Sequence, residues 1–265
     1  MIDFHNHILP CVDDGSQSVE ISLNMLRHAS SQGITDVVNT VHYQHPKVEG
    51  EDISFSRIKK ISDELEIELK KNNIPIKIHL GAEVFFLPNL LKLKNDPLAT
   101  FSNYKYMLIE FQVHQLPENH KQELYNLKLA GVTPIIAHPE RYKFVQNDIS
   151  LVRTWMDTGC LIMIDAGSPL GYFGKNCKST SEIIIKNGWC HILGSDSHDD
   201  RKRNFCLKDS VDYVRTMIGS NVNKMVYDNP RAVINGDYIS SEYEYEVEPP
   251  SSFFEKIKKK WNMSI

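Results

Sequence analysis

The sequence predicts an α/β protein in which repeated βα units close into a barrel, on three observations. Short runs rich in Val, Ile and Leu alternate with longer stretches of helical periodicity. Seven such runs can be counted. Each is followed by a short cluster of polar or ionisable residues, and in a βα barrel the C-terminal ends of all strands open onto one mouth.

In chain order, the first strand, residues 2–4, leads into DFHNH, and a helix over 18–31 carries the chain to a second strand at 36–40 that ends in HYQH. A helix over 54–72 follows, with Ile58, Ile61, Leu65 and Leu69 on one side and Lys and Glu elsewhere, which is a core-facing helix with a solvated back. The third strand, 76–80, precedes GAE, and the stretch 88–103 has no clear periodicity. The fourth strand, 106–109, runs into IEF, and the fifth, 133–137, into AHPER, with a helix over 118–129 between them. A helix over 149–158, a sixth strand at 161–164 ending in DAG, a helix over 179–187 and a seventh strand at 191–193 before GSDSH complete the rhythm. A last helix is predicted over 205–218.

Composition agrees with one globular domain. The 265 residues are 41% hydrophobic and 24% charged, which excludes disordered, collagen-like and low-complexity chains. A net charge of -4 argues against a nucleic-acid surface built on bulk positive charge, so no nucleic-acid partner is expected. The five cysteines are scattered without a C-x-x-C pair and read as reduced thiols. No basic-then-apolar leader opens the sequence, and no apolar run approaches the ~18 residues of a membrane span, so a cytoplasmic location is expected. No linker divides residues 1–235, which are expected to form the barrel. Residues 236–265 shift to an acidic, Tyr-rich composition and then to a basic segment, and are expected to lie outside it as a tail. There Phe253, Phe254, Ile257 and Trp261 share an apolar side near Lys256, Lys258, Lys259 and Lys260. That pattern allows contact with a membrane surface, but a helix packed on the barrel is the preferred reading.

Imidazoles and carboxylates crowd the strand ends. His5 and His7 alternate, so both leave one side of the chain and can grip one ion. Asp14, His42, Glu83, Glu110, His138, Asp196 and His198 stand at matching positions, and nine ligands exceed what one ion can hold. If all nine coordinate three divalent ions, four carboxylates leave a net positive cluster that attracts a phosphate dianion and lowers the pKa of a bridging water. Imidazole and carboxylate without thiolate favour Mn, Fe or Zn over Ca.

The motifs DFHNHILPCVDDGSQS, GAEVFF, LIEF, IIAHPERY and GSDSH resemble the metal-dependent tyrosine-protein phosphatases of capsule and exopolysaccharide biosynthesis, within the polymerase and histidinol phosphatase superfamily. The resemblance runs from Met1 to about Asn235. It implies a distorted (β/α)7, TIM-like barrel and hydrolysis of phosphotyrosine on a protein, such as a bacterial tyrosine kinase of polysaccharide export. It also implies a first ion on His5, His7, Glu83 and Asp196, a second on Glu83, Glu110 and His138, and a third on Asp14, His42 and His198, with Mn as the expected metal. Arg141 matches the family's phosphate-binding arginine, and Arg201 or Arg203 is expected to supply a second fork for phosphate oxygens. Cys11 departs from a common Gly, so the loop after HILP is expected to differ in shape.

Other chemistries fit less well. No cysteine stands six residues before an arginine, as a thiol-dependent phosphatase requires, and no G-x-x-x-x-G-K-[ST] loop is present. Histidinol-phosphate phosphatase is the nearest alternative enzyme. A catalytically silent metal-binding interaction module is disfavoured by the intact ligand set beside Arg141.

Overall fold

The computed structural model describes residues 1–241 of the chain. Seven parallel strands form one sheet in chain order: β1 (Ile2–Asn6), β2 (Asp36–Tyr43), β3 (Lys77–Phe85), β4 (Tyr106–Glu110), β5 (Thr133–Ala137), β6 (Leu161–Asp165) and β7 (Ile192–Gly194). The helices are α1 (Val19–Ser31), α2 (Phe55–Lys71), α3 (His120–Leu129), α4 (Lys143–Asn147), α5 (Ser150–Asp157), α6 (Gly167–Leu170), α7 (Lys175–Lys186), α8 (Leu207–Ile218) and α9 (Asn229–Asn235).

The sheet curls until β1 meets the end of β7. Just past β7, His7 N donates to Ser197 O at 2.8 Å and Asp196 N donates to His5 O at 2.7 Å. Below them Ser195 N donates to the buried Asp3 carboxylate at 3.1 Å. Gly194 permits the approach, since a Cβ there would lie 2.7 Å from that of His5. The result is a nearly closed (β/α)7, TIM-like barrel.

Two apolar clusters follow from strand alternation. Phe4, Leu108, Ile135, Leu161, Met163 and Ile192 fill the interior, which Val233 of α9 and Ile239 close at the base. Val37, Met107, Ile136, Ile162 and Leu193 face outward against the helices. Ile58, Leu65 and Leu69 of α2 are buried, as their spacing requires, while Ile61 is partly buried against the same cluster.

All seven expected strands are present, but β1 to β4 run one to five residues past their expected ends, to Asn6, Tyr43, Phe85 and Glu110. His5, His42, Glu83 and Glu110, expected to follow these strands, belong to them and reach the mouth. In β3 the chain passes straight through Gly81, over which the Phe101 ring lies so closely that a Cβ would fall 1.9 Å from its Cε1. The unclear stretch contains one 3-10 turn, Leu90–Leu93, followed by Asp96, whose carboxylate accepts from Leu98 N and Ala99 N at 2.8 and 3.0 Å. The short helices α4, α6 and α9 have too few turns to show a period in sequence.

The chain just beyond residue 235 stays against the base of the barrel. Lys105 Nζ donates to Gly236 O at 2.7 Å, Tyr106 Oη donates to Asp237 O, and Ile239 is buried at the base. The basic amphipathic segment around Phe253 to Trp261 lies outside the described residues. Among the described residues no helix is long and apolar enough to cross a membrane.

Candidate functional site

The mouth of the barrel is assembled one strand at a time. In β1, pairing with β2 slips by one residue between Asp3 and Asn6, so that three steps face two. This bulge lets Phe4 join the interior while its neighbour His5 reaches the mouth. Asn6 turns away, donating from Nδ2 to Asp3 Oδ1 at 3.1 Å. His42, Glu83 and Glu110 come from the extended ends of β2, β3 and β4. His138 and Asp196 follow β5 and β7 with positive φ angles of 31° and 47°, a conformation that non-glycine residues hold only where the surroundings impose it.

These side chains meet in overlapping groups whose ligand atoms lie within 4.8 Å of one another: His5, His7 and Asp196; His5, Glu83 and His138; His7, Asp14, His42 and His198; and His42, His45 and Glu110. His5 Nε2 stands 3.2 Å from Glu83 Oε1 and 3.3 Å from Asp196 Oδ1, and His7 Nε2 stands 3.4 Å from the same Asp196 oxygen. His42 reaches Glu83 Oε2 at 3.1 Å and Asp14 Oδ1 at 3.0 Å. His198 Nε2 is 3.4 Å from Asp14. Glu110 is the loosest member, 3.9 Å from both His42 and His138. Bonds of about 2.1 Å to a common ion place neighbouring ligand atoms about 3.0–3.4 Å apart, the spacing seen here.

The imidazoles are oriented from behind. His5 Nδ1 bonds Thr40 Oγ1 at 2.5 Å, His7 Nδ1 bonds Asp13 Oδ2 at 2.8 Å, and His198 Nδ1 donates to Asp196 O at 2.9 Å. The Nε2 atoms of all three are buried without a hydrogen-bond partner, as are His42 Nδ1 and Glu110 Oε2. Buried polar atoms are rarely left unmatched. A set of lone pairs held toward one another by supporting hydrogen bonds fits divalent cations, and the donors suit Mn, Fe or Zn.

Electrostatics point the same way. Burial, and then the charge of Glu83, pushes the Glu110 carboxyl up to about 8. Burial opposes charge on His42 as well, but its bonds to Asp14 and Glu83 outweigh it and raise that imidazole to about 9. Asp14 and the buried Glu83 and Asp196 are held ionised by the cationic groups around them, so that Glu110 is the one of the four carboxyls left short of positive charge. Lys47 already supplies some, 2.7 Å from Asp14 Oδ2 and 3.0 Å from His42 Nε2.

Two guanidinium groups form the opposite wall. Arg141 Nη1 and Arg203 Nη2 both donate to Asp196 Oδ2, at 2.5 and 2.6 Å. Arg141 also packs 4.2 Å above the Phe173 ring and lies 3.6 Å from the buried Asp165. Arg201 is not part of this wall; its side chain is 90% exposed beside Asp200. The open cavity between these walls measures about 680 Å³, and its lining includes Phe85, Phe111, Val113 and His114.

Asp13, Thr40, Lys47, Glu140 and Asp165 escaped the sequence reading. Asp165 stood in the DAG cluster without a role, and Glu140 lay inside AHPER. Glu140 is fully buried, accepts from Asp165 N at 3.0 Å and Ser168 Oγ at 2.6 Å, and is raised to about 8 by burial and by Asp165. Cys11 takes the left-handed conformation (φ 57°) that glycine adopts most readily, so the loop after HILP accommodates this departure.

The family model for capsular polysaccharide synthesis, CpsB/CapC, matches residues 1–235. The putative tyrosine-protein phosphatase CapC of Staphylococcus aureus is 34% identical over 209 residues, which cover 78% of this chain and 81% of that protein. The tyrosine-protein phosphatase YwqE of Bacillus subtilis is 31% identical over 240 residues, covering 90% and 93%. Among solved structures, a chain from the crystal structures of YwqE from Bacillus subtilis and CpsB from Streptococcus pneumoniae, described as unique metal-dependent tyrosine phosphatases, superposes with a TM-score of 0.84. It is 30% identical and covers 90% of this chain and 96% of its own. With a family model matching residues 1–235 and relatives alike over most of their length, the chain belongs to the CpsB/CapC family of capsular polysaccharide synthesis.

Proposed function

We propose that the protein is a metal-dependent tyrosine phosphatase of capsule or exopolysaccharide biosynthesis. The observation that carries this reading is the set of buried, unpartnered imidazole nitrogens facing carboxylates beside two arginines in one cavity. His5, His7, Glu83 and Asp196 would hold one ion, Glu83, Glu110 and His138 a second, and Asp14, His42 and His198 a third, with His7 and His5 close enough to be shared. When bound, such ions attract the phosphate dianion and lower the pKa of a water.

The chain's own residues do the rest. Arg141 and Arg203 present guanidinium forks to the phosphoryl oxygens, and Phe173 braces the first. Phe85 and Val113 offer apolar surface to an aryl ring at the mouth. Hydrolysis adds the oxygen of water to phosphorus and breaks the bond to the tyrosyl oxygen. Tyrosinate, with a pKa of about 10, leaves with little help from a general acid, whereas an alkoxide needs protonation. The four buried cysteines are unsuited to nucleophilic work, and burial pushes the thiols of Cys160 and Cys177 up to about 12. The phosphoprotein would be a tyrosine kinase of polysaccharide export.

Chelation should abolish phosphate release from a phosphotyrosine peptide and Mn should restore it, while replacing all five cysteines spares it. At equal metal loading, kcat/KM should favour phosphotyrosine peptides over phosphoserine peptides and histidinol phosphate. A preference for histidinol phosphate overturns the substrate, and activity in a preparation shown to be metal-free overturns the mechanism.

A further inference from the structure

Next to the catalytic cavity, across a partition of His45, Pro46 and Phe85, lies a second groove of about 710 Å³. The partition residues line both spaces, and the His45 ring meets Phe85 edge-on at 4.7 Å between centroids. A polypeptide whose phosphotyrosine enters the first space therefore has only this wall to cross to reach the second. The groove is apolar along Val48, Ile53, Phe85 and Leu87, and Leu87 is 41% exposed.

Charge distinguishes the two spaces. The groove contains no Lys or Arg, and its two carboxylates, Glu49 and Glu51, are exposed and make no ion pair among the described residues. Lys47, their neighbour in sequence, is committed to Asp14 on the catalytic side at 2.7 Å. The wall bearing Arg141 and Arg203 attracts an anion, whereas the adjoining groove repels one and attracts a cation.

We propose that this groove is a substrate subsite that binds the polypeptide flanking the phosphotyrosine and selects a segment bearing a cationic side chain next to an apolar one. Opposite charges in adjoining spaces fix the direction in which the peptide lies, and the apolar floor buries the uncharged side chain. The inference rests on the phosphatase reading above, but its test separates the two.

Two labelled peptides carry a non-hydrolysable phosphonomethyl-phenylalanine and differ only in having Lys-Leu or Glu-Leu on both flanks. Their binding to the metal-loaded full-length protein is followed by fluorescence anisotropy. At low ionic strength the Lys peptide should bind about five- to tenfold more tightly, with the gap shrinking as salt is added, as expected for exposed charges. The double variant Glu49→Gln, Glu51→Gln should lose the preference, and Glu49→Lys, Glu51→Lys should reverse it. Both should hydrolyse para-nitrophenyl phosphate within about twofold of the wild-type rate, since neither residue lines the catalytic cavity. Equal binding of the two peptides by the wild type, or a preference that survives in the Gln variant, overturns the subsite. Self-association of the wild type that the Gln variant abolishes, seen by light scattering, assigns the groove to a second copy and overturns it too. Failure of the metal-loaded wild type to turn over para-nitrophenyl phosphate strikes the phosphatase reading instead.

Discussion

Asp13 shows what one supporting residue does to a site. One oxygen takes the Nδ1 of His7 at 2.8 Å and the backbone N of His42 at 3.1 Å, and the other takes Gly15 N at 3.0 Å. His7 is thereby left with only its Nε2 to offer the mouth. Replacing Asp13 with Ala should weaken metal affinity about 10- to 100-fold in a metal titration, and Asp13→Asn, which can still accept from Nδ1, should weaken it less. Arg141→Ala should leave metal content near wild type while lowering kcat on the order of a hundredfold, about 3 kcal/mol, because a charge-assisted contact to the phosphoryl oxygens is lost. Glu83→Ala, by contrast, should lose metal as well, since its two oxygens serve His5, His42 and His138. An Arg141→Ala enzyme with wild-type turnover at saturating substrate overturns the phosphate assignment. At this scale sequence singled out candidate ligands, but it also offered Arg201, which lies outside the mouth, missed Lys47 within it, and was silent on the residues behind the imidazoles. Asp13 and Asp14 are adjacent and chemically identical, and only folding decides that one faces a histidine's back while the other faces Lys47 and His42.

Strands were legible as elements because each is a buried apolar run, whereas their ends were not. Expected strand ends were set where polarity begins, but in a barrel the last residues of a strand are the functional ones, and they stay hydrogen-bonded to their neighbours: His42 pairs with Glu83 in register, and Phe85 with Glu110. Gly81 shows the same tension in β3. It reads as a breaker, yet it is the point at which the Phe101 ring, itself 5.4 Å from that of Phe4, packs onto the strand. Gly81→Ala should cost about 1–3 kcal/mol through overpacking and lower Tm by several degrees in a thermal melt. A variant as stable as wild type would show that Phe101 can move aside.

Across the whole molecule, the base of the barrel is tied as firmly as the mouth is charged. Arg231 of α9 donates to both oxygens of Asp36 at the start of β2, at 3.2 and 3.0 Å, and His79 of β3 adds a bond at 2.9 Å. Burial alone would raise the Asp36 pKa, but Arg231, His79 and Thr35 overcome it and hold the carboxyl down at about 2. A carboxyl whose pKa is lower folded than unfolded stabilises above its unfolded value and loses that contribution as the pH falls toward the folded one. The stability gap between wild type and Asp36→Asn, about 1 kcal/mol near pH 6 for a partly exposed pair, should therefore narrow between about pH 4 and pH 2 in urea titrations. A gap that is constant over that window assigns the effect to packing. The βα rhythm made the architecture and its shared mouth readable, because one rule of alternation applies to the entire chain. This tie joins residues 195 positions apart, and nothing in either segment alone announces it.

The bond between the first and last strands has a bearing on when the protein becomes competent. His5 and His7 are made 191 positions before Asp196 and His198, their counterparts across the seam at Asn6 and Ser197. Until the later pair is made, two of the four ligand groups each lack one member. A polypeptide ended before the seventh strand would lack Asp196 and His198, and with them one member of each of those two groups.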